Sequence, residues 1–197
     1  VTGVQTCALP IFLDSDTLPS STDSTLQSSV YQNLIYQVAK YIKPKTADKF
    51  KSALGMKQLS NQVIELDLNS YLKEVSNDIT SYYMTDKIDG KRAICFIDPK
   101  QSYALTDTET TLPIKSNLTH ILDTEFYDSH YYIFDVMVWE DEVVTEMPFK
   151  ERLAPFDKAA ALSPLFKVKP FIKLTDKYAK QITAFKKEKK PYEDRKS

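Results

Sequence analysis

Four strand-like segments follow one another between Tyr82 and Trp139, and they commit the middle of this chain to a sheet. Tyr82–Ile88 and Arg92–Ile97 are rich in residues that suit a pleated surface. The second is apolar on both faces and is expected to be buried. Ile121–Tyr127 and Tyr131–Trp139 follow, with Asp128-Ser129 between them as a hairpin turn. Helical patterns flank these strands. Val30, Leu34, Val38 and Tyr41 recur at helical spacing over 25–42, with Ser24 and Gln27 as a capping box. Pro44 can open a second short helix holding Phe50 and Leu54 and closed by Gly55. Leu72, Val75 and Ile79 predict a third over 70–79. Phe149, Leu153, Phe156 and Ala160 mark another helix, Phe166–Ile172 a strand, and 175–187 a last helix. Thr175 caps that last helix, and Tyr178, Ile182 and Phe185 face inward. The expected class is α+β with a largely antiparallel sheet.

Composition narrows the function classes. Hydrophobic residues make up 42% and charged residues 27%, which suits a chain that buries a core. At 197 residues it holds one domain or a little more, taking about 100–200 residues per domain. The net charge of -1 argues against a general polyanion binder. Three glycines leave no Gly-rich phosphate loop of the P-loop or dinucleotide-binding type. Cys7 and Cys95 make neither a disulfide framework nor a zinc site, so a reducing compartment is expected. The longest apolar run, Cys7–Leu13, is broken by Pro10 and falls far short of the ~20 residues of a membrane helix. No membrane partner is expected.

The first Met is Met56, so the sequence reads as a fragment. Residues 1–11 resemble translated sequencing-adapter read-through and are expected to be non-native. Residues 14–29 are rich in Ser, Thr and Asp and read as a linker.

The most informative stretch is Thr85-Asp86-Lys87-Ile88-Asp89-Gly90-Lys91-Arg92. Its Lys-x-Asp-Gly-x-Arg pattern uses one of the three glycines and stands between two strand-like segments, where a lysine can be held at a strand end. Asp-Gly is also a good hairpin dipeptide, so a solvated turn is the plain alternative. Downstream, alternation along Ile121–Phe126 puts Asp123 and Glu125 on one face, where two carboxylates can bind a metal or a ribose. Tyr132, Phe134 and Val136 share a face of the next strand; an aromatic there can stack on a base or simply fill a core.

These residues resemble the covalent nucleotidyltransferases, the mRNA-capping guanylyltransferases and ATP-dependent polynucleotide ligases. Lys87-Ile88-Asp89-Gly90 with Arg92 is similar to motif I. Asp123-Thr124-Glu125 resembles motif III, with Thr124 in place of the usual Gly. Phe134-Asp135-Val136 followed by Phe149-Lys150-Glu151-Arg152-Leu153 resembles motif IIIa. The wording from Tyr83 to Ala93 is closest to capping enzymes of large cytoplasmic DNA viruses, and Lys190-Pro191-Tyr192-Glu193-Asp194 resembles their approach to motif IV. The resemblance covers about 60–194. It implies a nucleotidyltransferase domain, ATP-grasp-like, with antiparallel sheets flanked by helices, over 61–197, incomplete because motifs IV and V and the C-terminal OB-fold lie past it. Residues 12–60 would be the connection and helices from an upstream domain. Triphosphatase and methyltransferase domains are candidate neighbours in the full-length chain, and a cytoplasmic viral factory or virion is the implied location.

The resemblance also implies a mechanism. Lys87 attacks the α-phosphorus of GTP, expels pyrophosphate and carries GMP as a phosphoramidate to the 5′-diphosphate end of RNA. Only a neutral amine is nucleophilic, so cations must counter the neighbouring Asp86 and Asp89. Mg²⁺ or Mn²⁺ on the phosphates, with Arg92, would do so. Glu125, with Arg92, would hold the ribose and Phe134 would stack on guanine. Asp89 and Gly90 would be substrate-binding residues as well, Asp89 orienting the loop as much as acting chemically, and Asp123 is a weaker metal or ribose candidate. Full capping activity from residues 1–197 alone is expected to be weak or absent.

Two alternatives stay open. One is a ligase adenylation domain using Lys87 with ATP. The other is a non-catalytic nucleic-acid-binding module, for which Lys167, Lys169, Lys173, Lys177 and Lys180 offer a basic stripe, though an ordinary solvated face explains them as well. His120 and His130 read as surface or turn residues, and Cys95 as core.

Overall fold

The computed structural model describes residues 29–43, the single positions 47, 59 and 69, and 71–187. Residues 1–11, the linker over 14–28, the capping box, nearly all of the helix from Pro44 to Gly55, and Lys190–Asp194 lie outside the described residues, as do the side chains of Ile182 and Phe185. The chain divides into two compact bodies. One holds Val63–Ile88 and Lys169–Ser197, with Val1–Pro10; the other holds Ile11–Gln62 and Asp89–Val168.

The second body is built on a sheet of seven strands. They are β2 (Lys91–Ile97), β3 (Ser102–Leu105), β4 (Glu109–Leu112), β5 (His120–Tyr127), β6 (His130–Trp139), β7 (Glu142–Val143) and β8 (Phe166–Val168). The order is β4-β3-β2-β5-β6-β7, all antiparallel, and β8 joins the opposite end of β6 in parallel. Helix α1 (Ser29–Ile42) covers one face. Its buried stripe is Tyr31, Leu34, Ile35, Val38 and Ala39, packed on Ile94, Phe96, Leu105, Ile121 and Val138. Burying one such aliphatic side chain contributes about 1.5–3 kcal/mol. Val30, expected on this stripe, is instead exposed, because the inward face begins one position later, at Tyr31. The Tyr31 hydroxyl donates to the Thr106 carbonyl at 2.7 Å and fixes the helix against the β3–β4 turn.

The first body pairs β1 (Tyr83–Thr85) with β9 (Phe171–Lys173), Met84 opposite Ile172. The Thr85 hydroxyl donates to the Pro170 carbonyl at 2.7 Å, and Leu174 N–H donates to the Tyr82 carbonyl at 2.9 Å. Gln181, on the final helix Tyr178–Lys187, accepts from Thr175 N–H and donates to the Lys173 carbonyl, which ties that helix to β9.

The expected strands Arg92–Ile97, Ile121–Tyr127 and Tyr131–Trp139 are borne out, whereas Tyr82–Ile88 is a strand only over Tyr83–Thr85, in the smaller sheet, and the last helix begins at Tyr178. Phe166–Ile172 is not one strand. Pro170 lacks an N–H and breaks it into β8 and β9, which belong to different sheets. The helix expected from Phe149 is two short ones, Phe149–Arg152 and Phe156–Ala161, separated at Pro155 for the same reason. The helix expected over 70–79 is a π turn at Tyr71–Val75 and a 3-10 turn at Ile79–Ser81. There Ser76 and Asn77 side chains bond back to the Leu72 and Lys73 carbonyls and end the helix. Strands β3, β4 and β7 are additions; all are short, and β4 and β7 are largely solvated. His120 is 3% exposed and its ring lies 4.3 Å from that of Trp139, so it is a core residue. Lys169 is also buried, which removes it from any solvated stripe.

Candidate functional site

The β2–β5 register places Arg92 opposite Glu125 and Ile94 opposite Asp123. Directly opposed residues share a face, and alternation keeps Asp123 and Glu125 together on it. Arg92 Nε donates to Asp123 Oδ1 at 2.9 Å, and Nη2 donates to Oδ2 to complete a bidentate fork. Asp123 is buried, and burial pushes its carboxyl up from 3.8 to about 6; the Arg92 guanidinium pulls the other way, while Asp135 and Glu125 add to the rise. For Arg92 burial acts downward, but the bond to Asp123 and the surrounding carboxylates prevail and keep it firmly cationic.

Gly90 is held to the same face. Its N–H donates to Glu125 Oε1 at 3.0 Å. A Cβ at this position would lie 2.6 Å from the Phe126 carbonyl oxygen and 2.8 Å from Glu125 Cγ. Only glycine permits this approach of the loop to β5. Thr124, the departure from the Asp-Gly-Glu pattern, points to the opposite face by alternation. It is fully buried there, with its hydroxyl donating to the Ala93 carbonyl at 2.8 Å and lying 3.4 Å from Cys95 Sγ. The carboxylates on either side are therefore undisturbed by it. Cys95 is core as expected, with burial pushing its thiol up to about 12.

Phe134 reaches the site through a break in register. Asp123 pairs with Asp135 and Thr124 with Ile133, so Phe134 is an extra residue in β6. Its ring centre lies 5.4 Å from the Arg92 guanidinium carbon. The strict alternation of Tyr132, Phe134 and Val136 expected from sequence is interrupted here, because a bulge resets which residues face which way.

Asp135 and Arg152 stand beside this group and were not among the expected site residues. Arg152 Nε and Nη2 donate to Asp135 Oδ1 and Oδ2 at 2.8 and 3.1 Å. The only sequence signal for the pair is the motif IIIa wording around both residues.

Gly90, Arg92, Asp123, Glu125 and Phe134 thus come together in the sheet body. Asp89 is the first residue of that body after the crossing and is exposed. Lys87 is exposed and belongs to the other body, just past β1. Asp123, expected as a weak metal ligand, offers both oxygens to Arg92. Among the described residues no three His, Cys, Asp or Glu side chains gather to hold a metal ion. No described helix is long and apolar enough to cross a membrane. Within the sheet body, a cation, a half-buried aromatic and a carboxylate clustered together can bind a polar, flat and anionic ligand.

No known family model matches the chain. It is similar to the mRNA-capping enzyme of African swine fever virus, with 32% identity over 155 residues, in isolates Pig/Kenya/KEN-50 and Warthog/Namibia/Wart80 and in the Vero-adapted Badajoz strain. The match takes in 70% of this chain and spans 17% of the length of each of these relatives.

Proposed function

We propose that this chain is part of the guanylyltransferase domain of a viral mRNA-capping enzyme, with the nucleotidyltransferase fold, which charges a lysine with GMP. The observation that carries this reading is the bond from Gly90 N–H to Glu125 Oε1, which ties the glycine of the Lys-x-Asp-Gly motif to the Asp-x-Glu strand. The similarity to viral capping enzymes gives the chemistry its direction.

In this reading Lys87 Nζ forms a bond to the α-phosphorus of GTP as the α–β phosphoanhydride breaks. Pyrophosphate leaves with the electron pair, and the amine gives up a proton. A terminal oxygen of 5′-diphosphate RNA then attacks the same phosphorus, and the N–P bond breaks with its electron pair on nitrogen, which takes back a proton to return the lysine amine. Phe134 stacks on the base, with Arg92 beneath or beside the ring to fix its angle. Glu125 orients the ribose while holding Gly90. Asp123 keeps Arg92 in place rather than binding metal. Asp89 shapes the loop between Lys87 and Gly90.

Mg²⁺ is usually held by one or two carboxylates together with substrate phosphates, not by an all-protein cage, so a metal at this site would arrive on GTP. Bound there, Mg²⁺ or Mn²⁺ would offset charge on the phosphates. Full RNA capping is assigned to the longer protein, with any triphosphatase and methyltransferase domains it carries, acting in a cytoplasmic viral factory or virion.

The test is incubation with α-labelled GTP or ATP and Mg²⁺ or Mn²⁺, followed by denaturation and detection of protein-bound label. Label from GTP that vanishes in Lys87→Ala is the expected result. Label from ATP alone would instead make this a ligase adenylation domain, and label surviving Lys87→Ala would remove that lysine from its role.

A further inference from the structure

Arg152 lies on the short helix Phe149–Arg152 and is 5% exposed. Every nitrogen of its guanidinium has a partner. Nε and Nη2 hold Asp135, while Nη1 donates to the Met147 carbonyl and, at 3.5 Å, to that of Thr145. The guanidinium carbon lies 5.5 Å from the Phe149 ring centre. Asp135 Oδ1 also accepts from Val136 N–H at 2.8 Å. Asp135 is the residue that follows the extra residue of β6, and it stands opposite Asp123.

A buried ion pair of this kind adds little stability over apolar side chains of equal size. What it does add is geometry, because a two-toothed fork fixes both distance and angle. Here the fork grips β6 immediately after Phe134, from a helix and loop that the same guanidinium anchors through two carbonyls.

We infer that Asp135 and Arg152 are positioning residues that pin the β6 bulge and thereby hold Phe134 over Arg92. The inference deepens the proposed function and rests on it for the consequence: the pair sets how a nucleotide base is received. Neither residue needs to touch the nucleotide.

The test reads the ring directly. With 4-fluorophenylalanine at position 134, the fluorine resonance reports the surroundings of that ring. We expect Arg152→Lys and Asp135→Asn each to move it, while Val38→Ala, a core truncation in α1, leaves it in place. A resonance unmoved in the folded pair variants overturns the inference. So does a resonance moved as far by Val38→Ala, which would reduce the pair to general stability. If both pair variants fail to fold, Asp135→Leu/Arg152→Met, which leaves no buried charge, is read in their place by the same criterion. GTP titration of the same proteins separates the two claims. Unsubstituted protein that binds GTP should lose about tenfold or more in affinity on Arg152→Lys, the scale on which a misplaced group acts; unchanged affinity overturns the inference. Unsubstituted protein that binds no GTP counts against the proposed function, and the fluorine resonance still decides the positioning.

Discussion

Replacing Arg92 with Met would take the cation from a carboxyl that burial already disfavours. Asp123 rises from 3.8 to about 6 in the folded protein, chiefly through burial and despite Arg92. An acid whose folded value is raised favours the proton in the folded state. Stability from this group is therefore greatest below the unfolded value and falls as pH climbs towards 6. In the unsubstituted protein that loss is complete above about 6, and at about 1.4 kcal/mol per unit it amounts to about 3 kcal/mol. Arg92→Met moves the folded value higher still, so its stability goes on falling where the unsubstituted protein has levelled off. The gap between the two should widen by about 1.4 kcal/mol for each pH unit above 6 until the new folded value is reached. Removing one partner of a buried pair typically costs about 3–5 kcal/mol, and the partial exposure of Arg92 puts this site at the lower end. Urea unfolding at pH 6, 7 and 8, followed through the single tryptophan, Trp139, measures the gap. A difference between the two proteins that stays constant from pH 6 to 8 would refute the reasoning.

Gly90→Ala forces a methyl into the Phe126 carbonyl and should destabilise by about 1–3 kcal/mol, the scale of overpacking, while abolishing label from GTP; retention of both stability and label would contradict the close approach. Ser129 has φ 63° in the β5–β6 turn, so Ser129→Gly should stabilise by about 0.5 kcal/mol after the entropy of glycine is counted, read as a higher melting temperature. Burial lowers the His120 value below 6.5, although Glu140 and Asp141 act the other way. Its contribution to stability is thus full above 6.5 and falls as pH drops below it, and His120→Gln should lose that part of the acid-side slope in melts between pH 7 and 5.

The strands that build the site were legible because their signals are local. Arg92–Ile97 carries an apolar run, Ala93–Ile97, that few other elements would accommodate; Ile121–Tyr127 sets Asp123 and Glu125 against Leu122 and Phe126, and Asp128-Ser129 turns the hairpin with both residues at positive φ. Alternation alone put Asp123 and Glu125 on one face, as found. What alternation cannot show is a bulge. The extra residue at Phe134 depends on how β6 meets β5, and the sequence of β6 reads the same with or without it. The ion pairs were hidden for a similar reason. Arg92 and Asp123 are thirty-one residues apart, and Asp135 and Arg152 seventeen, so only the fold brings their charges into contact. His120 resembled a turn residue because it sits at a strand end; its burial comes from the Trp139 ring across the hairpin.

The proposed chemistry turns on which residue carries the nucleotide. After reaction with GTP and a divalent metal, protease fragments of the chain would be searched by mass spectrometry for a GMP adduct stable to base and labile to acid. The adduct is expected on Lys87 and nowhere else. An adduct on any other residue, or AMP on Lys87 under matched concentrations of ATP and GTP, would contradict it.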